Sequence, residues 1–290
     1  MKIPNKRDLS EKIIAKAISL GATMAGIASV DVLKQSPSHR IYPIIGLDLD
    51  KRWQESENDA RNERVAWPED AKSAVVIGVE HNPAEPELDW WDGKGTPGNR
   101  ILIRIAKELS AWIENSFTVR TYKPPYMIEK GGLFLKDAAV LAGLGCIGRN
   151  NLVVTPDYGP RIRFRALLLG CEARPTGPRD FNPCPDCQQP CRRACPIKAF
   201  EHTVFSSEAL GLSILPGTEG TYDRVTCNVK MSQDIVAAID GVSSDQEEKR
   251  EARSAIDAFE DGLREMSQSE AANYCVKYCR KCELTCPVGK

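Results

Sequence analysis

Two short runs of cysteine near the C-terminus carry the chemistry that this sequence indicates. Each run ends in a Cys-Pro step, and the first spans twelve residues and the second eight. Their thiols are Cys184, Cys187, Cys191 and Cys195 in the first run, and Cys279, Cys282 and Cys286 in the second. Such close spacing lets one loop place several sulfurs on different irons of one cluster. The spacing therefore predicts cubane iron–sulfur clusters.

The two runs are expected to share their ligands. In two-cluster ferredoxins the last cysteine of each run ligates the cluster of the other run. Applied to this chain, the rule predicts one [4Fe–4S] cluster on Cys184, Cys187, Cys191 and Cys286. A second [4Fe–4S] cluster then takes Cys195, Cys279, Cys282 and one more thiol. For that last ligand Cys227 is our candidate and Cys275 is its competitor.

One departure and two alternatives bear on this prediction. Three residues separate Cys187 from Cys191, whereas the usual ferredoxin run has two at this place. Structural zinc would also accept four thiolates, although zinc ribbons favour two C-x2-C pairs. Disulfides fit poorly with an odd number of cysteines, eleven in all, and with an N-terminus that carries no export signal. Two clusters therefore remain our interpretation.

Composition limits the partners of the chain. The 290 residues include 39 Lys and Arg against 40 Asp and Glu, so no global field draws the chain to nucleic acid or to an anionic membrane. The N-terminus lacks an apolar signal segment, and no run approaches eighteen apolar residues. We expect a cytoplasmic protein with no membrane partner.

The order of predicted elements is mixed α/β. Periodicity predicts helices over 8–20, 99–117 and 136–143, and strands over 24–28, 74–79, 119–122, 152–155 and 162–169. The apolar run 74–79 indicates a strand buried on both faces. We expect a long loop over 83–99 and, within an insertion at about 235–270, a charged helix at 245–251. Composition shifts to Pro, Gly and Arg near 170–183, which indicates a domain boundary there.

A glycine-rich stretch follows the third helix. Gly143, Gly145 and Gly148 fall within six residues, and glycine lets a backbone approach a neighbouring group closely. That neighbour is either a ligand or the chain itself, in a tight connection from helix to strand.

Residues 142–150, followed by Pro156-Asp157-Tyr158-Gly159 and then the cysteine run, resemble the epoxyqueuosine reductases. These are cobalamin-dependent iron–sulfur enzymes related to the reductive dehalogenases, and the resemblance covers most of the chain. It implies a nitroreductase-related, cobalamin-binding α/β core over residues 1–178. A ferredoxin-like domain with the two clusters follows over residues 179–290.

The resemblance also implies site residues. Base-off cobalamin would contact Tyr158 and the whole glycine-rich stretch, which comprises Gly143, Leu144, Gly145, Cys146, Ile147, Gly148, Arg149 and Asn150. Glu129 stands where the family has its catalytic aspartate, and burial could raise its pKa enough for general-acid work. Asp137 and Tyr126 are the alternatives for that role.

The resemblance is incomplete with respect to tRNA. The sequence ends four residues after Cys286, whereas the tRNA-modifying enzymes continue into a helical region that contributes to tRNA binding. Together with the balanced charge, this leads us to expect no tRNA substrate. A basic segment, which includes Arg161, Arg163 and Arg165, either contacts phosphate or propionamide groups or forms a solvated face.

We therefore expect an oxidoreductase that reductively cleaves or deoxygenates a small-molecule substrate. Electrons from an external donor such as ferredoxin or flavodoxin would enter the cluster that contains Cys195, pass to the cluster that contains Cys184, and continue to cobalt. The alternative is a non-catalytic electron-transfer or corrinoid-reducing partner protein that binds no cobalamin of its own.

Overall fold

The computed structural model describes residues 4–41, 65, 67–91, 96–126, 128, 131–230, 233–234, 276–277 and 279–290. Its helices are α1 (Lys6–Ser19), α2 (Val30–Lys34), α3 (Pro97–Phe117), α4 (Leu135–Leu141), α5 (Pro190–Arg193), α6 (Ser207–Leu210) and α7 (Lys281–Leu284). The strands are β1 (Met24–Ser29), β2 (Ser73–Glu80), β3 (Trp90–Trp91), β4 (Thr121–Tyr122), β5 (Cys146–Ile147), β6 (Val153–Val154), β7 (Ile162–Leu169) and β8 (Val276–Lys277). No helix among these residues is long and apolar enough to cross a membrane.

A four-stranded antiparallel sheet with the order β1-β2-β7-β4 forms the centre of the fold. In its register Val75 of β2 lies between Ile27 of β1 and Leu167 of β7. Seven of the eight residues of β2 are buried, which explains why its sequence is a continuous apolar run.

Helices cover both faces of this sheet. Because successive strand residues point to opposite faces, Val75 and Ile77 pack on one side, whereas Ala74 and Val76 pack on the other. The first side is closed by apolar residues of α1 and α3, namely Leu9, Ile13, Leu102, Ile105, Leu109 and Ile113. The second side is covered by residues of α2 and α4, namely Leu33, Ala138 and Ala139. The core is therefore a three-layer α/β/α arrangement.

Local sequence sets the ends of the long helices. The side chain of Asn5 caps α1 by accepting the N–H groups of Arg7 and Asp8. Thr96 caps α3, and Pro97 supplies the preset φ of its first turn. Thr118 ends α3 in the left-handed conformation, with φ of 56°.

Thr176 ties the connection after β7 to both β1 and α4. Its hydroxyl donates to the carbonyl of Ala142 (2.7 Å) and accepts the N–H of Ile27 (2.8 Å). Gly143 lies directly beneath this connection with φ of +75°. A Cβ there would lie 2.8 Å from the carbonyl oxygen of Thr176.

The predicted mixed α/β order is confirmed, with two local differences. The strand expected over 119–122 shortens to Thr121–Tyr122. The loop expected over 83–99 contains β3, which pairs with β8 from the far end of the chain. The helix predicted at 245–251 lies outside the described residues. The boundary between residues 178 and 179 stays a prediction.

Gly143→Ala should destabilise the protein more than Gly211→Ala. Both substitutions place a Cβ on a left-handed residue, which costs about 1–2 kcal/mol. At Gly211 the new Cβ meets nothing within 4 Å, whereas at Gly143 it meets the carbonyl oxygen of Thr176. We expect Gly143→Ala to lose about 1–3 kcal/mol more free energy of unfolding, measured by anaerobic urea denaturation. Equal losses of free energy of unfolding in the two variants would show that the close approach of Gly143 to Thr176 contributes nothing to stability.

Candidate functional site

Four thiols form a first neighbourhood around α5. Cys187 closes a turn by donating its N–H to the carbonyl of Cys184 (3.2 Å), and Cys191 lies buried in α5. Burial raises the pKa of Cys191, and Cys286, Cys184 and Cys187 raise it further. The pKa of Cys286 is likewise raised by burial and then by Cys184 and Cys187. Cys286 therefore lies among the thiols of the first run although it comes from the second.

A second neighbourhood contains Cys195, Cys227, Cys279 and Cys282. Burial raises the pKa of Cys282 to about 12, with contributions from Cys227, Cys279 and Cys195. Burial also raises the pKa of Cys227, and the nearby Cys195 and Cys279 add to the effect. The sulfur of Cys195 accepts the N–H of Ala199 (3.3 Å).

The two neighbourhoods have the same members as the ligand sets predicted from spacing. Eight thiolates in two sets of four match the donor chemistry of two cubane clusters. All ten described cysteines are free, and no three His, Cys, Asp or Glu side chains among the described residues surround a single ion. A cubane takes each thiolate on a different iron, so its ligands need not converge on one point. Ligation itself stays a prediction.

The three remaining cysteines differ in position. Cys146 lies beside the first neighbourhood, since burial, Cys184 and Cys286 together raise its pKa to about 12. Sequence spacing gave no reason to expect this proximity. Cys171 packs against the hydrophobic core, and burial raises its pKa. Cys275 lies outside the described residues, so its competition with Cys227 is not tested.

Buried ion pairs join the second cysteine run to the core. Arg163 of β7 contacts Glu283 of α7 (2.7 Å) and Asp89 (3.1 Å), and Arg280 contacts the other oxygen of Asp89 (2.7 Å). Arg280 also pairs with Glu283 and donates to the carbonyl of His81 (3.0 Å). These four charges lie between the core sheet and α7, directly beside Cys279 and Cys282.

Arg161 makes a second contact between the core and the segment that carries the second cysteine run. Its guanidinium is buried and donates to the carbonyl of Cys286 (3.3 Å) and to that of Val288. From the sequence, we expected the basic segment either to contact phosphate or propionamide groups or to form a solvated face. Arg161 and Arg163 do neither, because both side chains bind the C-terminal residues of the chain itself.

The glycine-rich turn is filled by protein. Gly143 packs beneath Thr176, and a Cβ at Gly145 would lie 2.2 Å from the carbonyl oxygen of Val154. Leu144 and Gly148 are buried, and Cys146, Ile147 and Tyr158 are partly buried. The backbone approach that the glycines permit is therefore made by the chain.

Two polar side chains that we predicted to contact cobalamin form hydrogen bonds or ion pairs with other residues of the protein. Asn150 donates to the carbonyl of Cys282 (3.4 Å) and accepts the N–H of Leu152 (3.2 Å). Arg149 pairs with Glu219 (3.2 Å). These contacts link the turn to the cysteine-bearing part of the chain.

One small cavity lies beside the described part of the turn. The cavity that Ile147 and Asn151 help to line measures about 20 Å³, roughly the space of one water. A larger cavity of about 470 Å³ lies elsewhere, beside the start of α1, Lys72 and Arg174.

The predicted catalytic residue, Glu129, lies outside the described residues. Of its alternatives, Asp137 is buried and accepts both the N–H (2.8 Å) and the hydroxyl (2.6 Å) of Ser38. Its carboxylate thus holds the chain that follows α2. Tyr126 is 49% exposed, with the Arg165 guanidinium 5.3 Å from its ring centroid.

Known proteins similar to this chain fall into two groups. The epoxyqueuosine reductase of Gloeobacter violaceus is 26% identical over 197 residues, which is 65% of this chain and 60% of that protein. The tetrachloroethene reductive dehalogenase of Desulfitobacterium hafniense strain Y51 is 41% identical over 231 residues, which is 69% of this chain and 40% of that protein. The chain thus spans only about half the length of these curated relatives. No protein-family model matches it.

Solved structures of the same two groups share the fold. An epoxyqueuosine reductase crystallised with a tRNA-Tyr stem loop aligns with a TM-score of 0.59 at 18% identity, covering 97% of this chain and 65% of that one. A reductive dehalogenase whose structure addresses B12-dependent dehalogenation aligns with a TM-score of 0.53 at 18% identity, covering 94% of this chain and 39% of that one. The resemblance read from the motifs and the fold class are both confirmed.

Arg163→Met should destabilise the protein by about 3 kcal/mol. Although burial opposes it, Glu283 and Asp89 raise the pKa of Arg163, so the guanidinium is charged. Removing one partner of a buried ion pair leaves the other charge without full compensation, which typically costs about 3–5 kcal/mol. Arg280 still pairs with both carboxylates, which limits the loss. Anaerobic guanidinium denaturation measures it.

Arg104→Met is the matched control. Arg104 pairs with Glu108 at 3.4 Å on the exposed face of α3, where such pairs contribute about 0.3–0.5 kcal/mol. If both variants lose the same free energy of unfolding, the Arg163 pairs do not hold the C-terminal segment.

Proposed function

We propose that this chain is an iron–sulfur oxidoreductase whose two [4Fe–4S] clusters pass electrons to an acceptor at the α/β core. The observation that carries the proposal is the exchange of cysteines between the runs. Cys286 has the first run's thiols as neighbours, and Cys195 has the second run's. This exchange is the arrangement of two-cluster ferredoxins. The relatives are reductases, which supports the same class of activity.

The proposed ligands of the first cluster are Cys184, Cys187, Cys191 and Cys286, and those of the second are Cys195, Cys227, Cys279 and Cys282. An external donor such as ferredoxin or flavodoxin would reduce the second cluster, which then reduces the first. The first cluster is the one beside Cys146, at the end of the glycine-rich turn. The electron would leave the clusters at this point.

Two candidates exist for the acceptor. The first is a base-off cobalamin that reductively cleaves or deoxygenates a small molecule, with Glu129 as the proton donor. A structural neighbour that carries out B12-dependent dehalogenation supports a corrin. The filled glycine turn favours the other candidate, an electron-transfer or corrinoid-reducing protein that binds no cobalamin. We propose the first candidate, because the relatives are reductases, and keep the second as the alternative.

The class of substrate is also a proposal, and two observations bear on it. One neighbour was crystallised with a tRNA stem loop, which weakens our prediction against tRNA. The net charge of −1 supports a small molecule or a protein as the reaction partner.

Anaerobic purification tests this assignment of function. The protein, reconstituted with iron and sulfide and then incubated with hydroxocobalamin, should contain about eight irons per chain. It should retain about one corrin per chain after gel filtration, with a base-off visible spectrum. A cluster-loaded protein that excludes cobalamin would replace our assignment with the electron-transfer or corrinoid-reducing protein. Absence of iron would refute both.

Cys227→Ala should remove one cluster. Two cubanes hold about eight irons, so the variant should contain about four, determined by iron and labile-sulfide analysis. Cys171→Ala is the control, since Cys171 packs against the core and should leave the iron content intact. Unchanged iron content in Cys227→Ala would transfer the role to Cys275.

A further inference from the structure

An open cavity of about 470 Å³ lies at one end of the central sheet, where β2 begins and β7 ends. Ser73, the first residue of β2, lines it and pairs in register with Leu169, the last residue of β7. The segment with the second cysteine run docks at the other end of the sheet, where Arg161 precedes β7 and donates to the carbonyl of Cys286. An eight-residue strand such as β2 spans roughly 23 Å. The cavity is therefore remote from the proposed electron path.

Two of the four cations that line the cavity are neutralised by neighbouring carboxylates. Lys6 pairs with Glu172, which also lines the cavity. Arg7 pairs with Glu11 (2.8 Å), which lies one turn further along α1 and outside the cavity lining. These two pairs leave no net charge for a ligand.

The other two cations, Lys72 and Arg174, form no ion pair with any residue that the structure describes. Hydrogen bonds fix the backbone beneath both: Lys72 donates its N–H to the carbonyl of Leu169 (2.8 Å), and Arg174 donates its N–H to that of Lys6 (3.0 Å). Asp31 supplies the remaining carboxylate of the lining. Two unpaired positive charges thus face one negative charge, so the cavity attracts an anion.

Two serine hydroxyls add hydrogen-bond donors to the same lining. Ser73 is only 1% exposed, and its oxygen accepts the N–H of Ala173 (2.9 Å). The oxygen of Ser29 accepts the N–H of Val32 (3.5 Å). A hydroxyl can donate as well as accept, and within the described part of the chain neither hydroxyl proton has an acceptor. Both protons are therefore available to the oxygens of a ligand.

We propose that this cavity binds a phosphate group, either carried by a small molecule or present as the free ion. A phosphate carries up to two negative charges and several acceptor oxygens, which match the unpaired cations and the free hydroxyl protons. Helix α1 begins in the same lining, and the positive end of its dipole adds to the attraction. The volume lies within the range of small-molecule sites, about 300–1,000 Å³, so an organic group can accompany the phosphate.

Isothermal titration calorimetry of the anaerobically reconstituted protein, at fixed ionic strength, tests the proposal with three probes. Inorganic phosphate or AMP should bind saturably at one site per chain, whereas adenosine, which lacks the phosphate, should not bind. Tighter binding of AMP would identify a phosphorylated organic molecule as the ligand, and tighter binding of inorganic phosphate would identify the free ion. Failure of both to bind, or equal binding of adenosine and AMP, would overturn the inference.

Substitutions in the lining locate the binding. Lys72→Met and Arg174→Met should each weaken it about tenfold, since each removes a charged hydrogen-bond donor. Asp31→Asn removes the opposing charge and should tighten binding about threefold, a gain that loss of structure would not produce. Lys107→Met is the matched control, because Lys107 is exposed on α3 outside the cavity lining and should leave the affinity unchanged.

Equal weakening in Lys72→Met, Arg174→Met and Lys107→Met would show a general effect of charge and overturn the inference. The same outcome would leave the proposed function standing, because the iron content of the protein tests that function separately.

Discussion

Four charges, two of them on the buried carboxylates of Asp89 and Glu283, join the segment with the second cysteine run to the core sheet. Arg163 and Asp89 belong to the core, whereas Arg280 and Glu283 belong to the segment that carries the second cysteine run. Burying the carboxylates of Asp89 and Glu283 is favourable only because each has an arginine partner, and these pairs hold the segment in its position. That position places Cys286 against the first run and Cys282 near Cys227. The exchange of thiols between the two runs depends on it.

The same docking brings the cysteine runs close to the core. Asn150 at the end of the glycine-rich turn donates to the carbonyl of Cys282, and Arg161 donates to that of Cys286. The turn, whose glycines are packed against Thr176 and Val154, therefore serves as a structural joint between core and cysteine runs. A Cβ at Gly143 or Gly145 would clash with these neighbours, so chain packing requires glycine at both positions.

Sequence patterns predicted the features that depend on local order. The apolar run 74–79 indicated a strand buried on both faces because helices cover both sides of β2. The ferredoxin spacing rule grouped thiols that are neighbours in the structure. Contacts between distant residues were not predictable in this way. Arg161 and Arg163 contact residues more than 115 positions away, and β3 pairs with a strand near the C-terminus.

The central claim is that two cubane clusters lie side by side in one chain. The low-temperature EPR spectrum of the dithionite-reduced, anaerobically purified protein tests it most directly. Two reduced [4Fe–4S]⁺ clusters in adjacent sites should give a broadened signal, split by the interaction of their spins and integrating to about two spins per chain. A single unsplit signal of one spin, or no cluster signal, would contradict the account.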